Sequence, residues 1–167
     1  MAIAVQTQND PNQGDIDLNI IDSTVTATTN GTSTNAFWTA NGGIKINNSD
    51  VTVNAELSSY PLLWAATSIE VTGNSDVMAT GGTSNILYTA GEIKIDGSSV
   101  TANGASSPNP AIYATSIEIK GGSDVTATGG DGNAIYADYG GIIIDNSTVK
   151  ASAVGEYASF AIYTYEG

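Results

Sequence analysis

Residues 117–137 read Ile-Glu-Ile-Lys-Gly-Gly-Ser-Asp-Val-Thr-Ala-Thr-Gly-Gly-Asp-Gly-Asn-Ala-Ile-Tyr-Ala. Three short patterns follow one another here: apolar-x-apolar, then Ser-x-Val-x-Ala, then an apolar residue followed by an aromatic one. Working outward, the first pattern recurs as Leu18-Asn19-Ile20, Ile44-Lys45-Ile46, Ile69-Glu70-Val71, Ile93-Lys94-Ile95 and Ile142-Ile143-Ile144. The second, with Val in place of the final Ala at Val53, recurs from Ser23, Ser49, Ser75, Ser98 and Ser147, with valines at Val25, Val51, Val77, Val100, Val125 and Val149. The third gives Phe37-Trp38, Leu63-Trp64, Leu87-Tyr88, Ile112-Tyr113, Ile135-Tyr136 and Ile162-Tyr163. Successive valines lie 26, 26, 23, 25 and 24 residues apart, so six units occupy residues 15–165.

Internal periodicity at this length is the mark of a repeat architecture. Each unit holds three alternating stretches separated by Gly, Asn, Ser and Pro, and alternation argues for strands with one face turned inward. The four prolines (Pro11, Pro61, Pro108, Pro110) lie outside those stretches, as strand hydrogen bonding requires. Three strands in each turn of ~25 residues predict a parallel β-helix whose coils stack at ~4.8 Å, six of them making a rod roughly 30 Å long. Residues 1–14 read as a polar N-terminal tail and 15–167 as a single β-helix domain, a segment of a longer surface protein.

The sequence Ile-x-Ile, Gly/Asn-Ser-x-Val-Thr-Ala, then Ala-Ile-Tyr-Ala resembles the coils of right-handed, pectate-lyase-like parallel β-helices. It is similar in particular to repeats of secreted, surface-displayed bacterial carbohydrate-binding proteins. The resemblance spans all six coils. It implies a right-handed all-β solenoid, an extracellular or bacterial cell-surface location, and a polysaccharide partner.

Side chains two apart on a strand share a face, so the apolar columns orient the rest. With Ile-x-Ile and Val-x-Ala turned inward, the Ser column falls on the inner side of a corner, placed to hydrogen-bond between coils. The residue between the first-strand isoleucines faces out and reads Asn19, Lys45, Glu70, Lys94, Glu118, Ile143, a column expected to form a salt-bridge ladder. The second strand presents Thr26, Thr52, Met78, Thr101, Thr126 and Lys150. That array has a weak likeness to ice-binding solenoids, and Thr also suits any exposed strand. In the third strand, burying Phe37, Leu63, Leu87, Ile112, Ile135 and Ile162 turns Trp38, Trp64, Tyr88, Tyr113, Tyr136 and Tyr163 outward. The reverse orientation would bury phenols that each need a partner and would expose a continuous apolar stripe.

Composition removes many chemistries. The chain has 167 residues, no Cys, no His and no Arg; four Lys against 17 acidic residues leave a net charge of −13. Thiol catalysis, imidazole acid–base chemistry, disulfides and the usual zinc sites are excluded. So is a guanidinium clamp for phosphate. Nucleic acid, bound chiefly by neutralising its phosphates, is an unfavourable partner. No apolar run reaches the ~20 residues that span a bilayer as a helix. Met1–Gln8 lacks the charge and apolar stretch of a signal peptide, which leaves a cytoplasmic protein or a secreted one lacking its leader.

Outward rings in a row suit a linear polysaccharide, since pyranose C–H faces pack on aromatic faces while Asn, Thr and carboxylates bond to hydroxyls. The expectation is a non-catalytic module binding glycan through Trp38, Trp64, Tyr88, Tyr113, Tyr136 and Tyr163. The alternative is a structural adhesin or stalk segment, and ice binding is the least favoured. No acidic pair with an elaborated loop interrupts the repeat, so no enzyme is expected, although paired carboxylates could drive glycoside hydrolysis. No cofactor is required; Asp50 and Asp76, adjacent in the stack, are the candidate Ca2+ ligands, and Asp15, Asp17 and Asp22 form a second acidic group. An uncovered last coil, shielded only by Tyr157, Phe160 and Tyr165, would favour end-to-end self-association.

Overall fold

The computed structural model describes residues 5–7, 17–157 and 160–165. Its strands begin with β1 (Val5–Thr7), β2 (Leu18–Ile21), β3 (Thr24–Thr28), β4 (Phe37–Thr39), β5 (Ile44–Asn47) and β6 (Asp50–Asn54). They continue with β7 (Leu63–Ala65), β8 (Ser68–Thr72), β9 (Asp76–Thr80), β10 (Leu87–Thr89), β11 (Glu92–Asp96) and β12 (Ser99–Gly104). The last are β13 (Ile112–Lys120), β14 (Asp124–Gly129), β15 (Ile135–Ile144), β16 (Thr148–Ala153) and β17 (Ile162–Tyr165). No helix occurs among the described residues.

Every pairing is parallel and joins one coil to the next, so the chain winds as a β-solenoid of about six turns. Three faces result. The first carries β2, β5, β8, β11 and the C-terminal halves of β13 and β15. The second is the six-stranded sheet β3-β6-β9-β12-β14-β16. The third carries β1, β4, β7, β10, the N-terminal halves of β13 and β15, and β17. The first and third faces become continuous where β13 and β15 run unbroken around the corner, with a register shift between Ala114 and Ser116. Val5–Thr7, inside the segment read as a polar tail, pairs with Phe37–Thr39 and begins the third face.

The interior is filled by the columns that periodicity picked out. Ile44, Ile46, Val51, Val53, Ile69, Val71, Val77, Ile93, Ile95 and Val100 are buried, as are Phe37, Leu63, Leu87, Ile112 and Ile135. Full burial of each large aliphatic side chain contributes roughly 1.5–3 kcal/mol. The stack of such residues therefore drives the coiling. In the sixth coil the inward Ile144 and Ile162 are exposed at 43% and 42%, because no described rung lies over them. Tyr157 and Phe160, expected to shield this end, are themselves exposed at 75% and 55%.

The corner between the first and second faces is set by two adjacent columns. Backbone φ is positive at Asp22 (50°), Asn48 (48°), Asn74 (64°), Gly97 (58°), Gly122 (79°) and Asn146 (48°). Only Gly, Asn and Asp enter this left-handed region readily, and this corner uses no other residue at that position in any of the six coils. The serine that follows locks the turn. Backbone N–H groups of Ser49, Ser75, Ser98 and Ser123 donate to the hydroxyl one coil on, at 3.2, 3.2, 3.3 and 3.2 Å. Each hydroxyl in turn donates to a carbonyl two or three residues earlier, as Ser75 does to Thr72 at 2.6 Å. The expected Ser ladder bonds both between coils and to the backbone. No buried side-chain polar atom among the described residues lacks a partner.

The charged column on the first face is in the expected register: Lys45 opposite Glu70, Glu70 opposite Lys94, Lys94 opposite Glu118. Its contacts differ from a ladder. Lys45 pairs with Asp17 at 2.6 Å and Lys120 with Glu118 at 3.0 Å, and no ion pair within 4.0 Å joins the column members themselves. The cause at Lys45 is local. Neutral Asn19 stands opposite it, and Asp17 is already held beside it by the Gly43 N–H at 2.8 Å. These two hydrogen bonds hold the Asp17 carboxyl below its ordinary pKa, with Lys45 the larger influence. Asp15, the third acid of that group, lies outside the described residues.

Candidate functional site

The third-face strands alternate buried, half-buried, buried, which turns the middle residue outward. Trp38, Trp64, Tyr88, Tyr113 and Tyr136 are half-buried at that position, and Tyr163 is half-buried in the partly exposed β17. Parallel register places each directly over the last: Trp38 with Trp64, Trp64 with Tyr88, Tyr88 with Tyr113, Tyr113 with Tyr136, Tyr136 with Tyr163. All six predicted rings therefore form one column.

The rings lean on one another. Successive centroids are 5.7, 6.4, 5.1, 5.3 and 5.3 Å apart, and interplanar angles run from 7° to 28°. Phe160 adds a seventh member, 5.1 Å from Tyr163 and 14° from parallel. Such separations belong to offset stacks, the arrangement that ring quadrupoles favour. Carbon surfaces touch at ~3.5–4.0 Å, so nearly parallel rings with centroids farther apart are slipped sideways like tiles. Each then shows solvent an edge and a strip of face. Outward direction was readable from alternation; the tilt was not, because it depends on the neighbour above.

The corner leading into this face holds the rings in step. Its residues alternate as Asn35, Pro61, Asn85, Pro110, Asn133 and Phe160. Asn35 Nδ2 donates to the Pro61 carbonyl at 2.6 Å, and Asn85 Nδ2 to that of Pro110 at 2.7 Å. Asn133 Oδ1 accepts from the Phe160 N–H at 3.0 Å.

Polar groups gather at the Tyr113–Tyr136 pair. The Tyr113 hydroxyl donates to Asp138 Oδ2 at 3.1 Å, and the Tyr136 hydroxyl donates to Oδ1 at 3.4 Å. Burial, then the hydrogen bond to Asp138 and its charge, push the Tyr113 phenol up to about 12. Tyr136 is raised too, by burial first and the Asp138 charge second. Beside the same two rings, Pro108, Pro110, Asp131, Gly132 and Asn133 complete a concavity of about 360 Å³. Its volume is at the small end of ligand sites. Neither Asp138 nor Asp131 figured among the sequence-derived candidates. The only available signal was position: Asp138 follows the outward Tyr136 by two residues, so both share a face.

The other candidates lie elsewhere. Asp50 and Asp76 are exposed on the second face and directly opposite one another in adjacent strands. Among the described residues no group of three or more acidic side chains gathers that could hold a metal ion. Thr26, Thr52, Met78, Thr101, Thr126 and Lys150 are in register on the same face, with Met78 and Lys150 interrupting the hydroxyl row. No helix among the described residues is long and apolar enough to cross a membrane.

No protein-family model matches the chain, and no curated protein or solved structure is significantly similar to it. The likeness to pectate-lyase-like and carbohydrate-binding β-helices therefore rests on the coil pattern alone.

Proposed function

We propose that this β-solenoid is a non-catalytic module of the bacterial cell surface or secreted space that binds a linear polysaccharide along its aromatic face. The observation that carries this reading is the in-register column of six half-buried rings, one per coil, with hydrogen-bonding groups beside it. A polymer repeats along one axis, as the rings do. Strips of ring face accept sugar C–H groups, while Asp138, Asp131 and Asn133 supply hydrogen-bond acceptors and an amide donor.

Mutual stacking favours a second reading, in which the rings only brace the coil edge and the chain is an adhesin or stalk segment. Affinity electrophoresis through gels containing soluble polysaccharides separates the two. Replacing Trp38, Trp64 and Tyr88 together by Ala should abolish retardation while far-UV circular dichroism still shows a folded solenoid. Retardation of that folded variant equal to wild type, or no retardation of wild type by any polymer, assigns the rings to bracing.

A further inference from the structure

We infer that the glycan is uncharged where it crosses Tyr113 and Tyr136, and that uronic-acid and sulfated polymers are rejected there; this rests on the aromatic face being the glycan site. The inference comes from where the four cations of the chain sit. Lys45, Lys94 and Lys120 belong to the first face and Lys150 to the second. The chain has no Arg and no His, so no cationic side chain stands on the aromatic face.

Two of the lysines are further engaged, Lys45 with Asp17 and Lys120 with Glu118. Carboxylates, by contrast, stand on the aromatic face at Asp138 and beside it at Asp131, whose Oδ1 accepts the Tyr157 N–H at 3.2 Å from the corner before β15. Asp138 receives the Tyr113 and Tyr136 hydroxyls, and Asp131 lines the concavity beside the same rings. A uronate or sulfate seated on these rings would lie close to both acids and find no counter-charge. Like charges in such proximity are destabilising, and burial against the rings weakens solvent screening. A neutral sugar meets the same carboxylates as hydrogen-bond acceptors for its hydroxyls, which charged acceptors strengthen. The acids that reject one class thus serve the other.

The test compares affinity electrophoresis on a neutral β-glucan, xylan and glucomannan with that on polygalacturonate, at low salt. Wild-type chain should be retarded by at least one neutral polymer, with polygalacturonate at least tenfold weaker. The double variant D131N/D138N should narrow that gap severalfold by strengthening the retardation by polygalacturonate itself, because it removes the local repulsion and leaves the rest of the surface charge in place. Equal or stronger retardation by polygalacturonate overturns the inference. So does a gap that the double variant leaves unmoved. In both cases, loss of retardation on replacing Tyr113 and Tyr136 by Ala would show the rings still to be the glycan site. If no polymer retards the wild-type chain, the aromatic-face reading fails and this inference falls with it.

Discussion

At the scale of single residues, Tyr113 and Asn74 show how environment decides what a side chain costs. The phenol of an unfolded chain titrates near 10, while Tyr113 in the fold is held up to about 12 by burial and by Asp138. Below pH 10 both states are protonated and the folded chain keeps the full benefit. As pH rises from 10 through 12 the unfolded state loses its proton first, so stability falls across that window. Ultraviolet titration of phenolate should resolve a tyrosine near pH 12, and Asp138→Asn should lower its midpoint without returning it to 10, since burial persists. A midpoint indifferent to that substitution would remove Asp138 as a cause. Asn74 carries φ of +64°, where a β-branched side chain meets its own backbone. Asn74→Val should cost about 1–2 kcal/mol, and Asn74→Gly far less, as measured by urea unfolding.

At the scale of elements, the corner serines tie one strand to the next in a way the sequence pattern disclosed only in part. Their inward position followed from spacing; the residue preceding each entered the pattern only as Gly/Asn, with no left-handed role read from it, although Asp, Asn or Gly stands there in all six coils. Alternation carried the strand directions well, because one buried column per strand decides the parity of its neighbours. It carried the contacts poorly. The first-face charges fell in register yet Lys45 turned to Asp17, a choice made by which carboxylate was already anchored rather than by register. The same distinction predicts unequal costs along the Ser column. Ser75 is buried, accepts the Ser49 N–H and donates to Thr72. Ser75→Ala leaves the buried Ser49 N–H without a partner, while the Thr72 carbonyl keeps the Asn48 N–H at 3.2 Å, at a cost of about 1–3 kcal/mol. Ser23 is exposed at the first coil, and Ser23→Ala should stay within about 0.5 kcal/mol. Similar midpoints in urea for the two variants would mean that the column does not hold the corner.

At the scale of the whole molecule, each rung contacts chiefly its neighbours, so stability should be near a sum over coils and their interfaces. That explains why the architecture was legible in the sequence. A repeated unit states its packing six times, and an isolated exception such as Met78 or Ile143 cannot mask it. The aromatic face was legible only as a column, since Asp138, Asp131 and the ring tilt are features of one place rather than of the repeat. The repeat itself can be tested by shortening it. Deleting residues 75–97 removes 23 residues and joins Asn74 to Ser98, restoring the left-handed residue and serine at the junction. Every inward column then moves up one step intact; the outward column gains a Glu70–Glu118 neighbour pair, a small surface penalty. The shortened chain should fold with unchanged circular dichroism per residue and a urea m-value lower by about one-sixth, in proportion to the surface it buries. Deleting residues 75–86 instead joins Asn74 to Leu87. That cut removes the second-face strand of one coil and feeds an aromatic strand into its place, so cooperative unfolding should be lost. Cooperative unfolding in the half-coil deletion, or its loss in the whole-coil deletion, would show that something other than rung-by-rung stacking specifies this fold.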